Sequence, residues 1–201
     1  MPPVFADRPA VFIDRDGCLI EEAGYINHPR RVRVLPRSPA AVACLNRAGI
    51  AAVMATNQAG IARDYFSKET LEAVNAEVER QLAAEGARLD ALYVCTHHPT
   101  AGKPPFRLEC ECRKPKPGLL LRAAADMGLD LSRSAMIGDK PSDVEAGHAA
   151  GAATVLVLTG YGRGEWEYRR HEWAVKPDHV AEDLFEAVLW ALGRLGLPCP
   201  R

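Results

Sequence analysis

The sequence predicts an α/β protein, a parallel sheet covered by helices on both faces. Three observations carry this. Short apolar runs alternate along the chain with segments of helical periodicity. The runs are apolar throughout and not at every second position, the pattern of strands buried on both faces. Several of them end in polar, chemistry-bearing residues, and in a parallel sheet such ends lie along one edge, where ligands bind.

In order, the first strand is Ala10-Val11-Phe12-Ile13, which runs into Asp14-Arg15-Asp16 and stops at Gly17. A polar, irregular stretch follows over 21–36. Ser38 is expected to cap a helix with Pro39 at its first position and Gly49 at its end. Residues 50–55 form a second strand ending in Thr56-Asn57-Gln58. Ser67 caps a long helix reaching Gly86, with Leu71, Val74, Val78 and Leu82 on one face. A third strand lies within 89–94, and a proline-rich loop occupies 95–117. Pro117 opens a helix that Gly128 ends. The fourth strand, 135–137, runs into Gly138-Asp139, and a helix over about 141–150 follows. Residues 153–158 form the fifth strand. The stretch 160–176 is a loop in which Trp166, Tyr168 and Trp173 are read as packing residues, with contact to a partner as the alternative. The last helix spans about 181–195. No repeat, low-complexity tract or linker divides the chain, so 1–201 is read as one domain.

Hydrophobic residues make up 48% and charged ones 25%, with a net charge of −1. This is a globular composition without the electrostatic footprint of a nucleic-acid or anionic-membrane partner. No apolar run approaches the ~20 residues of a membrane span. The opening MPPVFADRPA lacks the basic and apolar regions of a signal peptide, so a cytoplasmic location is expected. There are six cysteines, Cys18, Cys44, Cys95, Cys110, Cys112 and Cys199. In that compartment a disulfide framework is not expected, and the clustering of three of them over 95–112 points to a metal.

Asp14, Asp16 and Asp139 together make an oxygen-rich, anionic site suited to Mg²⁺. Arg113 and Lys114 add positive charge, and Thr56 and Asn57 add hydrogen-bond donors. Carboxylates, Mg²⁺, a lysine and small donors are the components of phosphoryl transfer. One aspartate can attack phosphorus, while the other protonates the departing alkoxide and then deprotonates the hydrolytic water. Separately, Cys95-x-His97 and Cys110-x-Cys112 offer three thiolates and an imidazole, a closed structural Zn²⁺ set, with His98 as the alternative histidine. The loop between the pairs has little apolar content to order it, and a metal clip supplies that order. Because Arg113-Lys114 follow Cys112 directly, the zinc fixes cationic residues and takes no part in chemistry.

Asp14-Arg15-Asp16-Gly17, Thr56-Asn57, Lys114 and Gly138-Asp139-x-x-x-Asp143 resemble the four ordered motifs of the haloacid dehalogenase (HAD) superfamily of phosphatases. The resemblance covers about residues 10–160. It implies a Rossmann-like sheet, Asp14 as nucleophile and Asp16 as general acid/base. It also implies Mg²⁺ held by the Asp14 and Asp139 carboxylates and the Asp16 carbonyl, Thr56 and Lys114 on the phosphoryl group, and Asp143 in support. Cys18 departs from the pattern, which places a hydroxyl there, and a thiol is a poorer donor. As a nucleophile in its own right Cys18 has nothing nearby to lower its pKa.

The zinc loop resembles that of one HAD subgroup, which contains heptose-bisphosphate and histidinol-phosphate phosphatases. Fourteen residues separate Cys95 from Cys110. That length, with Gly24-Tyr25 and Thr56-Asn57-Gln58-x-Gly60-Ile61-Ala62-Arg63, favours the 7-phosphate of a heptose 1,7-bisphosphate, with histidinol phosphate as the alternative. Neither interval between the first three motifs has room for a cap domain. Specificity is then expected from loops 21–36 and 58–66 and the zinc loop: Glu22, Gly24, Tyr25 and Gln58 around the substrate, Arg113 and Lys140 on its second phosphate. A small phosphorylated sugar is the expected partner and the chain is read as a monomer. A phosphomutase is disfavoured, since nothing would shield a phospho-enzyme from water. A non-catalytic, zinc-stapled binding module is the reading from another class.

Overall fold

The computed structural model describes residues 8–199, so the reading of the N-terminal stretch lies, for residues 1–7, outside the described residues. The elements are β1 (Ala10–Ile13), α1 (Ser38–Arg47), β2 (Ala51–Asn57), α2 (Lys68–Ala84), β3 (Ala91–Cys95), α3 (Gly118–Met127), β4 (Ala135–Gly138), α4 (Pro141–Ala149), β5 (Ala153–Val157), α5 (Gly162–Gly164), β6 (His179–Ala181) and α6 (Leu184–Arg194). Among the described residues six strands form one parallel sheet in the order β3-β2-β1-β4-β5-β6. β1 is central, with Val11 opposite Ala52 on one side and Ala135 on the other.

Alternation along β1 divides the core. Val11 and Ile13 point into a cluster built with α1, α2 and α6, while Ala10 and Phe12 point into a second one under α3. Gly147 brings α4 onto that second face, so close that a Cβ there would lie 2.7 Å from the Met136 side chain. The expected three-layer architecture is therefore present, and its strands read as apolar runs because both faces are covered. Neither interval between the first three motifs holds a further domain among the described residues: the first contains a loop, a 3₁₀ turn and α1, and the second α2, β3 and the zinc loop. No helix among them is long and apolar enough to cross a membrane.

Four local expectations are corrected. Ser38 does not cap α1, because it is 2% exposed and its hydroxyl donates to the Cys18 carbonyl at 2.8 Å. A sixth strand precedes the last helix, which starts at Leu184 with the Asp183 carboxylate accepting from Glu186 N at 2.9 Å. That three-residue edge strand is too short to carry a period of its own. The stretch 160–176 is helical in part, with a π-helical turn over Glu165–Arg169 and a 3₁₀ turn over Arg170–Glu172. Trp173 and Trp166 pack there against Val144 and Leu156, whereas Tyr168 is exposed. Finally, Cys44 and Cys199 form a disulfide, so one bridge exists where no framework was expected.

Phe12 is fully buried in the core cluster under α3. Phe12→Ala is expected to cost about 3–5 kcal/mol, the usual range for truncating a buried aromatic, read from the urea midpoint at unchanged slope.

Candidate active site

The carboxyl edge of the sheet collects the predicted residues. Asp14 continues β1 by one residue and donates its amide to Ile137 O at 3.0 Å, which fixes it at the β1–β4 seam. Thr56 and Asn57 end β2, Cys95 ends β3, and Asp139 follows β4. The chain turns sharply after Asp16. Gly17 has φ +81°, and a Cβ on it would lie 2.2 Å from Asp139 Oδ2. Gly160 approaches the same oxygen equally closely from the loop after β5. Only residues without side chains let these two backbones flank the Asp139 carboxylate. Where a hydroxyl was expected at position 18, hydroxyls from elsewhere hold the turn: Thr159 Oγ1 donates to Gly17 O at 2.5 Å and Ser38 Oγ to Cys18 O.

Lys114 carries the charge balance. Its buried ammonium lies 3.0 Å from Asp14 Oδ1 and 2.6 Å from Asp143 Oδ1, and donates to Ala55 O at 2.7 Å. Burial pushes the Asp14 carboxyl up, but the attraction of Lys114, then of Lys140, leaves it below its ordinary value. Burial leaves Asp143 raised despite Lys114. Asp139 is pushed up to about 8, by burial first, with Lys140 opposing and Asp14 and Asp143 adding repulsion. Asp14, Asp139 and Asp143 each bring a carboxylate oxygen within 4.8 Å of the others. Asp139 Oδ2 accepts the Tyr161 amide at 2.9 Å, whereas its buried Oδ1 has no hydrogen bond and lies 3.6 Å from the Lys140 ammonium. A carboxylate oxygen without a hydrogen bond beside two more carboxylates fits a divalent cation.

Asp16 lines the cavity beside these groups. Its carboxylate accepts from Arg15 Nη2 at 2.9 Å and Gln58 Nε2 at 2.7 Å, and burial raises its pKa against the pull of Arg15. Asn57 and Gln58, expected as substrate donors, both line the cavity and also bond within the protein. Asn57 clamps the Lys114 backbone, donating to its carbonyl at 2.9 Å and accepting from its amide at 3.1 Å. Gln58 bonds to Asp16, Thr56 and Arg15. Cys18 is fully buried, and burial together with Asp139, Asp14 and Asp143 drives its thiol far from ionisation. It is no nucleophile.

Beside these groups lies a cavity of about 440 Å³, lined by Asp16, Glu22, Tyr25, Arg113, Lys140 and Tyr161 among others. Glu22 shapes its rim: one carboxylate oxygen accepts the Gly24 amide at 2.8 Å and the other pairs with Lys140 at 3.0 Å. Lys140 also lies 4.7 Å over the Tyr161 ring. Arg15, Asn75, Thr159 and Tyr161 were not found from the sequence. Arg15 stands within the first motif without an assigned role, and Asn75 left a trace as a polar residue within the apolar face of α2.

At the head of β3, Cys95, His97, Cys110 and Cys112 bring their ligand atoms within 4.8 Å of one another. The Sγ–Sγ separations are 3.2, 3.3 and 3.7 Å. Three thiols and an imidazole converging on one point fit a tetrahedral metal site with ~2.3 Å metal–sulfur bonds. His98 is excluded from the set: its Nδ1 accepts the Thr100 and Ala101 amides, and Nε2 lies 3.0 Å from Arg63 Nη2.

The raised Asp139 yields a test. A carboxyl whose folded pKa is raised loses stability as pH rises from its unfolded value of 3.8 to about 8. In EDTA, Asp139→Asn is therefore expected to melt above the wild type. The gap should widen from about pH 5 to about pH 8, at roughly 2–4 °C per kcal/mol relieved. An equal or lower Tm at the higher pH would show the site is not strained by the ionised carboxylate.

A HAD-hydrolase-like family model matches residues 111–187. The D-glycero-D-manno-heptose-1,7-bisphosphate 7-phosphatase of Thermosynechococcus vestitus is 42% identical over 190 residues, 91% of this chain and 95% of its own. The D-glycero-beta-D-manno-heptose-1,7-bisphosphate 7-phosphatase of Vibrio cholerae is 40% identical over 154 residues, 76% of this chain and 83% of its own. Among solved structures, a D,D-heptose 1,7-bisphosphate phosphatase from B. bronchiseptica, complexed with magnesium and phosphate, matches with a TM-score of 0.81 and 33% identity. That match covers 92% of this chain and 98% of the other. With the motifs, the fold and these relatives in agreement, the chain belongs to the heptose-bisphosphate phosphatase family of the HAD superfamily.

Proposed function

We propose that the chain is a Mg²⁺-dependent phosphomonoesterase that removes the 7-phosphate of D-glycero-D-manno-heptose 1,7-bisphosphate. The observation that carries this is the buried Lys114 ammonium, which joins Asp14 to Asp143 and lines the same cavity as Asp16, Arg113 and Lys140. Asp14, kept ionised by Lys114, attacks phosphorus. The bond from phosphorus to the sugar oxygen breaks, Asp16 gives that oxygen its proton, and an aspartyl-phosphate forms on Asp14. Asp16 then takes a proton from water as the water's oxygen attacks the phosphorus. The Asp14–phosphate bond breaks and inorganic phosphate leaves. The raised pKa of Asp16 suits a group that must both give and take a proton.

Asp14, Asp139 and the Asp16 carbonyl would hold Mg²⁺, with Asp143 in support, and bound Mg²⁺ neutralises charge on the transferring group. Thr56 and Lys114 meet the phosphoryl oxygens, and Arg113 and Lys140 the second phosphate. Glu22, Gly24 and Tyr25 face the sugar. Zn²⁺ on Cys95, His97, Cys110 and Cys112 is structural. In this reading one domain acts as a cytoplasmic monomer on a small sugar phosphate, with no role for nucleic acid or membrane.

Asp14→Asn is expected to abolish turnover while fold and zinc content persist; retained activity in that variant ends the proposal. Steady-state rates on the α- and β-heptose 1,7-bisphosphates should exceed that on histidinol phosphate, and the reverse order would replace the substrate. Metal analysis should find about one zinc per chain, and Cys110→Ala should lower both zinc content and Tm. A zinc-free, fully stable wild type would refute the closed site.

A further inference from the structure

Arg15 is the largest fully buried side chain, 1% exposed, and the chemistry above does not use it. A guanidinium only donates hydrogen bonds. Its Nη1 donates to Asn75 Oδ1 at 3.0 Å, and its Nη2 to Gln58 Oε1 at 2.8 Å and Asp16 Oδ2 at 2.9 Å. These bonds settle which way the Gln58 amide points. Because Oε1 faces the guanidinium, Nε2 must face the other way, and it donates to Asp16 Oδ2 at 2.7 Å and Thr56 Oγ1 at 3.0 Å. Rotating the amide by half a turn would set its oxygen against the Asp16 carboxylate and its NH₂ against Arg15. With Gln58 donating to it, Thr56 keeps its own hydroxyl hydrogen free to donate.

Asn75 anchors the far end of this chain. It lies within α2, 8% exposed, and shares the helix's buried face with Leu71, Val74, Val78 and Leu82. Its oxygen accepts one edge of the guanidinium and leaves the rest for Gln58 and Asp16. Without that acceptor, a buried N–H of Arg15 would be unpaired, at a cost the guanidinium can relieve only by turning away from Asp16.

We infer that Asn75, acting through Arg15 and Gln58, is a positioning residue that sets the orientation of Asp16 for proton transfer to the leaving group. The inference rests on the phosphatase reading above, with Asp16 as its acid. It predicts sensitivity to the leaving group. A sugar alkoxide needs a proton as it departs, whereas p-nitrophenolate leaves without one.

The test compares single-turnover release of the leaving group from heptose 1,7-bisphosphate and from p-nitrophenyl phosphate, with Mg²⁺ present. Asn75→Leu is expected to lower the ratio of the sugar rate to the aryl rate by about tenfold, a fraction of what general-acid catalysis contributes. Asn75→Asp, which keeps the acceptor, should hold the ratio within about threefold of wild type. If the leucine variant does not fold, Gln58→Met is read instead and should lower the same ratio. An unchanged ratio, with both rates reduced alike, would show a merely structural role and overturn the inference while leaving the phosphatase reading intact. A wild type that hydrolyses neither ester overturns both.

Discussion

A buried ammonium is the constraint on which the rest depends. Three carboxylates gathered at the edge of a dry sheet repel one another and lose their hydration, an arrangement that burial penalises by several kcal/mol per ion unless opposite charge is fixed nearby. Lys114 supplies that charge from within hydrogen-bonding reach of Asp14, Asp143 and the Ala55 carbonyl. A lysine on a mobile loop could not do this. The loop is held twice: Asn57 grips the Lys114 peptide from both sides, and Cys112, two residues earlier, joins the cluster of Cys95, His97 and Cys110 at the head of β3. The cysteine cluster and the aspartate edge are thus one mechanical unit, and the end of β2 is shaped to hold a backbone.

What the sequence revealed follows from where the information lies. Strands covered on both faces appear as unbroken apolar runs, so β1, β2, β4 and β5 were legible, and so were the acids and amides that interrupt them at their ends. The spacing of the cysteines marked the metal cluster. The preference for His97 over His98 gains its physical reason only in the structure, where the Thr100 and Ala101 amides take the His98 ring. The direction of side chains was equally hidden. Asn57 and Gln58 stand where donors to substrate were expected, yet their amides serve Lys114 and Asp16. Ser38 looked like a cap and is a buried clamp on the turn after β1. Thr159 and Gly160 reach Gly17 and Asp139 across the sheet, a contact that no local pattern announces.

Cys18 stands where the superfamily motif that the chain resembles places a hydroxyl, on the turn that follows Asp14 and Asp16. The thiol there is buried and neutral, and two hydroxyls from other elements bind the carbonyls of Gly17 and Cys18. The turn is therefore held by tertiary contacts, which tie the nucleophile's position to the packing of α1 and of the loop after β5.

Without a cap domain, the wall of the site must come from loops, and loops that bury little apolar surface are the first parts of a protein to open. Here they brace one another in a series. Gly102 of the zinc loop presses on the Ala62 backbone, so close that no side chain would fit, and His98 faces Arg63. Tyr65, on the same loop as Arg63, meets Tyr25 edge-on at a ring separation of 4.7 Å. Tyr25 belongs to the loop whose Glu22 pairs with Lys140 at the start of α4. Side-chain contacts therefore run from the cysteine cluster to Glu22 and Tyr25 at the cavity, while the sheet beneath stands on its own core. The cavity wall is thus built from loops braced at the cysteine cluster, the aspartates beneath it are held at the edge of the sheet, and Lys114, carried on the loop and paired with Asp14 and Asp143, joins the two.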